Sequence, residues 1–221
     1  MEYPYNLDYS KRLVVNTNNN GWVPSKLPGI KRCILERESP SDSREAGLST
    51  SLVTYAPGSQ YPARNHPGGE EIFVLEGVFS DEYGDYRAGT YIRNPPGIHH
   101  APFSKQGAKL LVKLNQLSDG QEKVVIDTNK QQWLPGHGLL QVMPLANFGN
   151  ESTALVKWPK GGKFKLHSHF GGEEIFVLKG TFIDENGKYP KGTWIRNPHL
   201  SIHNPYTEEE TVILVKTGHL I

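Results

Sequence analysis

The chain has 221 residues, is 36% hydrophobic and carries 24 basic against 23 acidic side chains, a formal net charge of +1. Because neither sign collects into a long run, we expect no nucleic-acid partner, and because no apolar run approaches the roughly 18 residues that cross a bilayer, we expect no membrane association. Cys33 is the only cysteine, which excludes an intrachain disulfide and a cysteine metal cluster.

The chain begins with a polar and aromatic segment, Met1–Tyr9, which has neither the basic nor the apolar region of an export signal. A cytoplasmic location is therefore expected. From there on the apolar runs are short, rich in Val, Ile, Leu and aromatic residues, and separated every eight to twelve residues or so by Gly, Pro, Asn or Asp. This pattern predicts an all-β barrel or sandwich with little helix, in which Asp81–Gly84 and Asp184–Gly187 are hairpin connections.

One segment of the chain occurs twice. The run Gly68–Leu75 is repeated without change as Gly171–Leu178, 103 residues later. From Gly68 to Pro102 the match continues without a gap, and 22 of 35 positions are identical. Chance does not produce such agreement, so the chain contains two copies of one unit.

Upstream of this segment the copies match at a different offset. Trp22-Val-Pro corresponds to Trp133-Leu-Pro, 111 residues later. The difference of eight indicates an insertion in the first copy, which we assign to the polar residues 38–45. The copies join at the turn-like Ser118-Asp-Gly, which predicts one domain over residues 1–118 and a second over residues 119–221.

Four residues of the second copy have the types and spacing of metal ligands. His167 and His169 are two apart, so on a strand both imidazoles lie on one face. Gly171-Gly172 then provides a turn after which the carboxylate of Glu173 can return to that face, and His203 follows a turn near Pro198. Single histidines are usually structural, but four such residues at this spacing predict a mononuclear metal site.

These residues also carry a family resemblance. The run from Gly162 through His167 to Glu173, closing on Gly180, resembles the first signature of the cupin superfamily, and the run from Gly192 to His203 resembles its second. The resemblance implies two tandem cupin barrels, of the double-stranded β-helix or jelly-roll type, in one chain. The second signature departs from the pattern at Leu200, where glycine is expected, and at Thr207, where asparagine is expected.

Within the cupins, the Trp22-Val-Pro and Trp133-Leu-Pro openings followed by Gly-Gly-Glu-Glu-Ile-Phe-Val-Leu most resemble the ChrR-like branch, named for the cupin-like domain of an anti-sigma factor. The resemblance implies that the four zinc ligands of that regulator correspond here to His167, His169, Glu173 and His203. The regulator binds its sigma factor through a separate helical domain with cysteine ligands, for which this chain has neither the room before Trp22 nor the cysteines. The same branch includes dioxygenases that cleave small ketones.

The first copy differs at one ligand position. His66, Glu70 and His100 align with His169, Glu173 and His203, whereas Arg64 replaces His167 and has no lone pair for a metal. One interpretation is a buried ion pair between Arg64 and Glu70 in place of the metal. The other is a second site, in which His66, Glu70 and His100 bind iron and Arg64 faces an anionic substrate. The first is slightly favoured.

Two functions are expected if a metal is bound, and the identity of the metal separates them; a third, a non-catalytic binding or structural duplicate, applies if neither site holds a metal. We expect one divalent metal per chain: zinc first, with iron(II) or manganese as alternatives. Four ligands fill the shell of zinc, as in a ligand-sensing or oxidative-stress regulatory protein, whereas they leave two positions on iron(II), as in a dioxygenase for a small dicarbonyl or hydroxyaryl ketone. The expected partners are a small molecule and, for the regulator, a protein. Monomer and homodimer are both compatible with the sequence, and whether the chain is an enzyme stays open at this point.

Overall fold

The computed structural model of the protein describes residues 5–38 and 47–221. Within these ranges the chain consists of strands and turns, and its one helical element is the 3-10 turn Thr128–Lys130. The predicted all-β fold is confirmed. No helix in this part of the chain has the length and apolar character to span a membrane. The predicted insertion at residues 38–45 lies, apart from Glu38, outside the described residues.

The strands up to the join of the copies are β1 (Leu13–Asn16), β2 (Val23–Pro24), β3 (Ile30–Arg37), β4 (Ser49–Tyr55), β5 (Ser59–Gln60), β6 (Arg64–His66), β7 (Glu70–Asp81), β8 (Gly84–Arg87), β9 (Thr90–Asn94), β10 (Ile98–His100), β11 (Phe103–Ser104) and β12 (Ala108–Leu114). The strands after it are β13 (Val124–Asp127), β14 (Leu134–Pro135), β15 (Gln141–Phe148), β16 (Glu151–Trp158), β17 (His167–Ser168), β18 (Glu173–Lys179), β19 (Thr181–Asp184), β20 (Gly187–Pro190), β21 (Thr193–Asn197), β22 (Ile202–His203) and β23 (Thr211–Thr217).

One compact unit contains Gly21–Lys130 and the described residues before Asp8. The order of its main sheet is β13-β9-β7-β12-β4-β3-β2, with antiparallel neighbours. Further pairs, β6 with β10, β5 with β11 and β7 with β8, complete the barrel. Its core is a cluster of buried apolar side chains that includes Ile72, Phe79 and Leu110.

The other compact unit contains Asp8–Asn20 and Gln131–Ile221. Its main sheet has the order β1-β21-β18-β23-β16-β15-β14, which repeats the first order strand for strand. The pairs β17 with β22 and β19 with β20 complete this barrel, and its core includes Ile175, Phe182 and Ile213. The core residues of the two barrels are equivalent in sequence, since Ile72, Phe79 and Leu110 lie 103 positions before these three.

The compact units do not follow the copies seen in the sequence. Strand β1 of the first copy pairs with β21, Leu13 opposite Arg196, and belongs to the second unit. Strand β13 of the second copy pairs with β9, Val124 opposite Arg93, and belongs to the first unit. The boundary expected at residues 118–119 therefore marks the repeats, whereas backbone hydrogen bonding assigns the first strand of each copy to the opposite barrel.

The two predicted hairpins are present. Asp81 pairs with Gly84 at the end of β7 and β8, and Asp184 pairs with Gly187 at the end of β19 and β20. Each connection thus has two central residues, the length that antiparallel strands most often use. The hairpins place Asp81 and Asp184 at equivalent, buried positions of the two barrels.

Gly77 provides a test of the tight packing in the first barrel. Its φ is +74°, and a Cβ atom there would overlap the backbone carbonyl of Gly107. Replacing Gly77 with alanine should lower the free energy of unfolding by about 3 kcal/mol, because strain of the left-handed backbone adds to overpacking. Urea unfolding measures this change.

Gly58 is the matched control, since its φ is +78° but the space around it is open. The Gly58→Ala variant should lose only about 1 kcal/mol, from backbone strain alone. Equal losses in the two variants would contradict the close approach at Gly77.

Candidate metal centre

The histidines of the second copy meet on a two-stranded ribbon. Strands β17 and β22 are antiparallel, and their register places His167 directly opposite His203. The backbone N–H of His169 continues the pairing by donating to Ser201 at 3.2 Å. The Nε2 atom of His203 lies 3.1 Å from Nε2 of His167 and 3.0 Å from Nε2 of His169. The three imidazoles therefore converge on one point.

Glu173 approaches the same point from the main sheet. It is the first residue of β18 and is buried. Its carboxylate oxygens lie 3.4 Å from Nε2 of His169 and 3.6 Å from Nε2 of His203. The side-chain amide of Asn197 donates to Oε2 of Glu173 at 3.0 Å and fixes the carboxylate in this orientation. The structure thus brings together all four of the ligands expected from the sequence.

The charges of this cluster suit a cation. Burial, with the neighbouring imidazoles, lowers the pKa of His169 to about 3 and that of His203 to about 4, so both rings are neutral and keep a lone pair. Burial also raises the pKa of Glu173 to about 7, although the hydrogen bond from Asn197 and the positive charge of Arg12 act in the opposite direction. Each N···N contact can hold only one shared proton, whereas a divalent cation would accept all the lone pairs. The residues therefore fit a metal.

Arg12 supports this site and was missed from the sequence. Its Nε donates to Oδ1 of Asn197 at 2.8 Å, and its terminal nitrogen donates to Oδ2 of Asp184 at 2.8 Å. Arg12 thereby holds the amide that orients Glu173. These contacts of Arg12 form because β1, which belongs to the first copy, pairs within the second unit. No local sequence pattern indicates such a long-range pairing. The recurrence of Asn94 and Asn197 in the two Ile-Arg-Asn-Pro runs was the only available hint.

The equivalent ribbon of the first barrel brings the altered set together. Strands β6 and β10 place Arg64 opposite His100, as His167 is opposite His203. Nε2 of His66 lies 3.1 Å from Nε2 of His100, and Glu70 lies 3.3 Å from His100 and 3.9 Å from His66. His66, Glu70 and His100 are therefore also close enough to bind a metal, and all three are buried.

The expected ion pair between Arg64 and Glu70 is not formed among the described residues. The guanidinium carbon of Arg64 instead lies 4.1 Å from the centre of the Tyr61 ring, a cation–π contact. The oxygens of Glu70 are engaged elsewhere, by His100 and by the amide of Asn94 at 3.2 Å. The favoured interpretation, an ion pair between Arg64 and Glu70, was therefore wrong. The ring of Tyr61 competes for the guanidinium group, and His100 and Asn94 compete for the carboxylate.

His100 has a carboxylate on each side, unlike His203. Its Nδ1 lies 3.2 Å from Oδ2 of Asp81. Although burial opposes protonation, hydrogen bonds with Asp81 and Glu70 raise the pKa of His100 to about 9. In the second barrel the equivalent carboxylate, Asp184, accepts a hydrogen bond from Arg12 instead. The buried Nδ1 of His203 has no hydrogen-bond partner among the described residues. The first cluster thus contains a protonated imidazole between two carboxylates, whereas His203 of the second cluster stays neutral.

The sequence was compared with known proteins. The profile of the family described as ChrR Cupin-like domain matches residues 10–118 and 121–221. No curated protein matches the sequence.

Solved structures share the fold. A proposed dioxygenase from Nostoc punctiforme is 16% identical, with a TM-score of 0.77 over 95% of this chain and 84% of that one. A proposed glyoxylate-induced protein from Pseudomonas aeruginosa is 15% identical, with a TM-score of 0.73 over 93% of this chain and 88% of that one. The pirin YhhW from Escherichia coli, solved with nickel(II), is 13% identical, with a TM-score of 0.69 over 96% of this chain and 100% of that one. At these identities the likeness concerns the fold alone.

The metal content of the purified protein tests the site. Elemental analysis without added metal should find about one divalent metal per chain, since one of the two clusters offers three imidazoles and a carboxylate. The His167→Ala variant should lose this metal, and the Arg64→Ala variant should retain it. A metal content of the wild type near zero per chain would refute the metal site of the C-terminal barrel. A content near two per chain would refute the expectation that only one of the two barrels binds a metal.

The pair of His100 with Asp81 makes the first barrel sensitive to pH. The pKa of His100 rises from 6.5 to about 9 in the folded protein, so the stabilisation is complete below pH 6.5 and is lost as the pH rises through about 9. The stability difference between the wild type and Asp81→Asn should therefore shrink between these values. An NMR titration of metal-free protein should also show a lower His100 midpoint in Asp81→Asn, and an unchanged midpoint would contradict the pairing.

Proposed function

We propose that this chain, which belongs to the family of ChrR cupin-like domains over both of its repeats, is a regulatory protein that senses a small ligand or oxidative stress. Its C-terminal barrel would bind one divalent metal, and zinc is the metal expected first. The observation that supports this proposal is the convergence of His167, His169 and His203 with the buried carboxylate of Glu173. Only one of the two barrels keeps this full set.

The chain's own residues prepare the site for a metal. The neutral rings of His169 and His203 direct their Nε2 atoms to one point, and a bound cation would ionise the buried carboxyl group of Glu173, whose pKa is raised to about 7. Asn197 and Arg12 hold that carboxylate toward the histidines. A bound divalent metal would supply Lewis acidity and a position for an anionic or carbonyl oxygen of the ligand.

The surroundings of the site favour sensing over catalysis. Asp184 is held by Arg12 at 2.8 Å and by the hydroxyl of Tyr189 at 3.0 Å. It therefore does not present a free oxygen for proton transfer. Glu185 accepts a hydrogen bond from the backbone N–H of Asn204 at 3.0 Å. With these carboxylates engaged, the residues around the cluster offer binding groups rather than a general acid or base.

A sensing protein needs a partner that responds to the bound state, and the ribbon that carries the histidines has suitable exposed residues. Four apolar side chains on it or beside it are each more than half exposed: Leu166, Phe170, Leu200 and Ile202. The equivalent positions of the first copy hold the smaller or polar residues Ala63, Pro67, Gly97 and His99. Exposed apolar surface beside the metal cluster supports contact with a regulatory protein.

A dioxygenase is the second candidate, and an aromatic wall beside the site favours it. The ring of Phe164 lies 4.5 Å from that of His167, centre to centre, and the ring of Phe182 lies 6.2 Å from that of His203. His167 itself is only partly buried. A small dicarbonyl or hydroxyaryl ketone could therefore pack its apolar part against these rings with its oxygens toward the histidines.

Dioxygen consumption separates the two candidates. Protein loaded with iron(II) should consume dioxygen no faster than the His167→Ala variant when a small β-diketone such as pentane-2,4-dione is added. Cobalt(II)-substituted protein should nevertheless change its visible absorption when a ligand binds. Consumption clearly above that of the variant would contradict the sensing function and support the dioxygenase.

A further inference from the structure

The ribbon that carries the histidines of the second barrel also has an outer face. Its register sets His167 opposite His203 and Ser168 opposite Ile202. Because side chains alternate along a strand, the histidines project toward the cluster, whereas Ile202 and Leu166 project to the other side, with Ser168 between them. Leu166 is 68% exposed and Ile202 is 60% exposed. The strands that hold the cluster thus present apolar side chains to solvent on their outer face.

Two further apolar side chains extend this surface at the end of the ribbon. The backbone N–H of Leu200 donates to the carbonyl of His169 at 2.9 Å, which brings Leu200 beside the peptide that joins His169 to Phe170. Phe170 is 61% exposed and Leu200 is 55% exposed. We call the four exposed apolar residues the ribbon patch: Leu166, Phe170, Leu200 and Ile202.

Leu200 has a backbone conformation that leucine rarely adopts. Its φ is +59°, in the left-handed region, where a residue with a Cβ atom is strained. The equivalent residue of the first copy is Gly97, whose φ of +84° causes no such strain. More than half of the Leu200 side chain is exposed, so packing within the barrel gives little reason for leucine at this position. Contact with another molecule does give one.

Lysines precede the ribbon patch along the chain and give this surface a positive charge. Three of them are exposed, and their ammonium groups form no ion pair with an acidic side chain of residues 5–38 and 47–221: Lys160, Lys163 and Lys165. Lys163 pairs with Tyr206 and so continues the ribbon. One carboxylate, that of Glu185, lies beside the ribbon and accepts a hydrogen bond from the backbone N–H of Asn204 at 3.0 Å. Three basic side chains thus accompany one acidic side chain.

The first copy has neither the lysines nor the large apolar residues. At the positions of the three lysines it has uncharged residues: Pro57, Gln60 and Pro62. At the positions of the ribbon patch it has small or polar residues: Ala63, Pro67, Gly97 and His99. The two barrels have the same strand order, so the fold itself requires neither the lysines nor the apolar residues. Seven differences of this kind on one surface indicate a function that belongs to the second barrel.

The charge of this surface decides between the molecules that could cover it. In a symmetric pair of chains the ribbon patch would meet itself, and the lysines of the two copies would repel each other. An anionic membrane surface is typically bound by clusters of about four to eight basic residues, more than the three found here. An acidic protein segment with apolar side chains matches both the charge and the apolar surface.

We propose that the ribbon patch and its three lysines bind an acidic, amphipathic segment of a partner protein. The apolar side chains of the segment pack against the ribbon patch, and its carboxylates face Lys160, Lys163 and Lys165. This inference deepens the proposed function, on which its regulatory meaning rests. The same two strands carry the histidines on one face and the partner on the other, so a change in the cluster reaches the partner through a single layer of structure.

Peptide selection on the full chain tests the proposal. Short random peptides displayed on phage are selected against the immobilised protein, with the metal that it carries when purified. The recovered peptides should combine apolar residues with an excess of Asp and Glu. The most enriched peptide, synthesised with a fluorescent label, should bind the wild type in an anisotropy titration. Its affinity should fall by about fivefold or more between roughly 0.05 and 0.5 M NaCl, because salt screens the lysines.

Variants of the surface locate the bound peptide. Leu166→Ser and Ile202→Ser should each weaken binding by about tenfold, and Lys163→Glu by about fivefold or more. Leu200→Gly should also weaken binding, without lowering the urea midpoint of unfolding, because glycine relieves the backbone strain. Val125→Ser is the matched control, since Val125 is 46% exposed and belongs to the other compact unit. The peptide should bind this control as it binds the wild type.

Several results would overturn the proposal. These are the absence of an enriched peptide, enriched peptides without an acidic excess, and unchanged binding by Leu166→Ser and Ile202→Ser. A wild-type dimer in analytical ultracentrifugation that Leu166→Ser dissociates would assign the ribbon patch to a second copy. Cosedimentation with phosphatidylserine vesicles that Leu166→Ser abolishes would assign it to a membrane.

The composition of the recovered peptides and the salt dependence need no variant, so the test stands even if a variant does not fold. Peptide binding is also measured separately from dioxygen consumption and from the absorption of the cobalt(II) protein. A failure of the docking proposal therefore leaves the sensing function standing, and a failure of the sensing function leaves the peptide result readable.

Discussion

The chemistry of both barrels depends on the register of one short antiparallel ribbon. In the second barrel the pairing of β17 with β22 sets His167 opposite His203, and in the first the pairing of β6 with β10 sets Arg64 opposite His100. Because side chains alternate across a strand, a shift by one residue would turn these groups to the outer face. The ribbon therefore fixes where a charged or ligating group lies, and the identity of the residue decides what it does there.

A few substitutions around equivalent ribbons give the two clusters different electrostatics. In the second barrel Arg12 binds Asp184, and burial keeps the rings of His169 and His203 neutral beside the carboxyl group of Glu173. In the first barrel Asp81 binds His100, which becomes the positive group, and Arg64 adds a further positive charge. Duplication followed by divergence at these positions accounts for a cation site in one barrel and a cluster that contains its own positive groups in the other.

The sequence predicted the fold and the residues of the C-terminal cluster because the evidence is local or repeated. The identity of Gly68–Leu75 with Gly171–Leu178 revealed the duplication, and the spacing of His167, His169 and Glu173 follows from strand geometry over seven residues. Long-range contacts could not be predicted in the same way. The part played by Arg12 requires β1 to pair with β21, where Leu13 lies opposite Arg196, and the position of Arg64 depends on competition between Tyr61 and Glu70.

X-ray absorption spectroscopy of the native metal tests the central claim most directly, since it reports the ligands themselves. The account predicts a single metal environment with about three imidazole nitrogens and a carboxylate oxygen, from His167, His169, His203 and Glu173. A spectrum with fewer than two imidazoles, or with sulfur from Cys33, would contradict it.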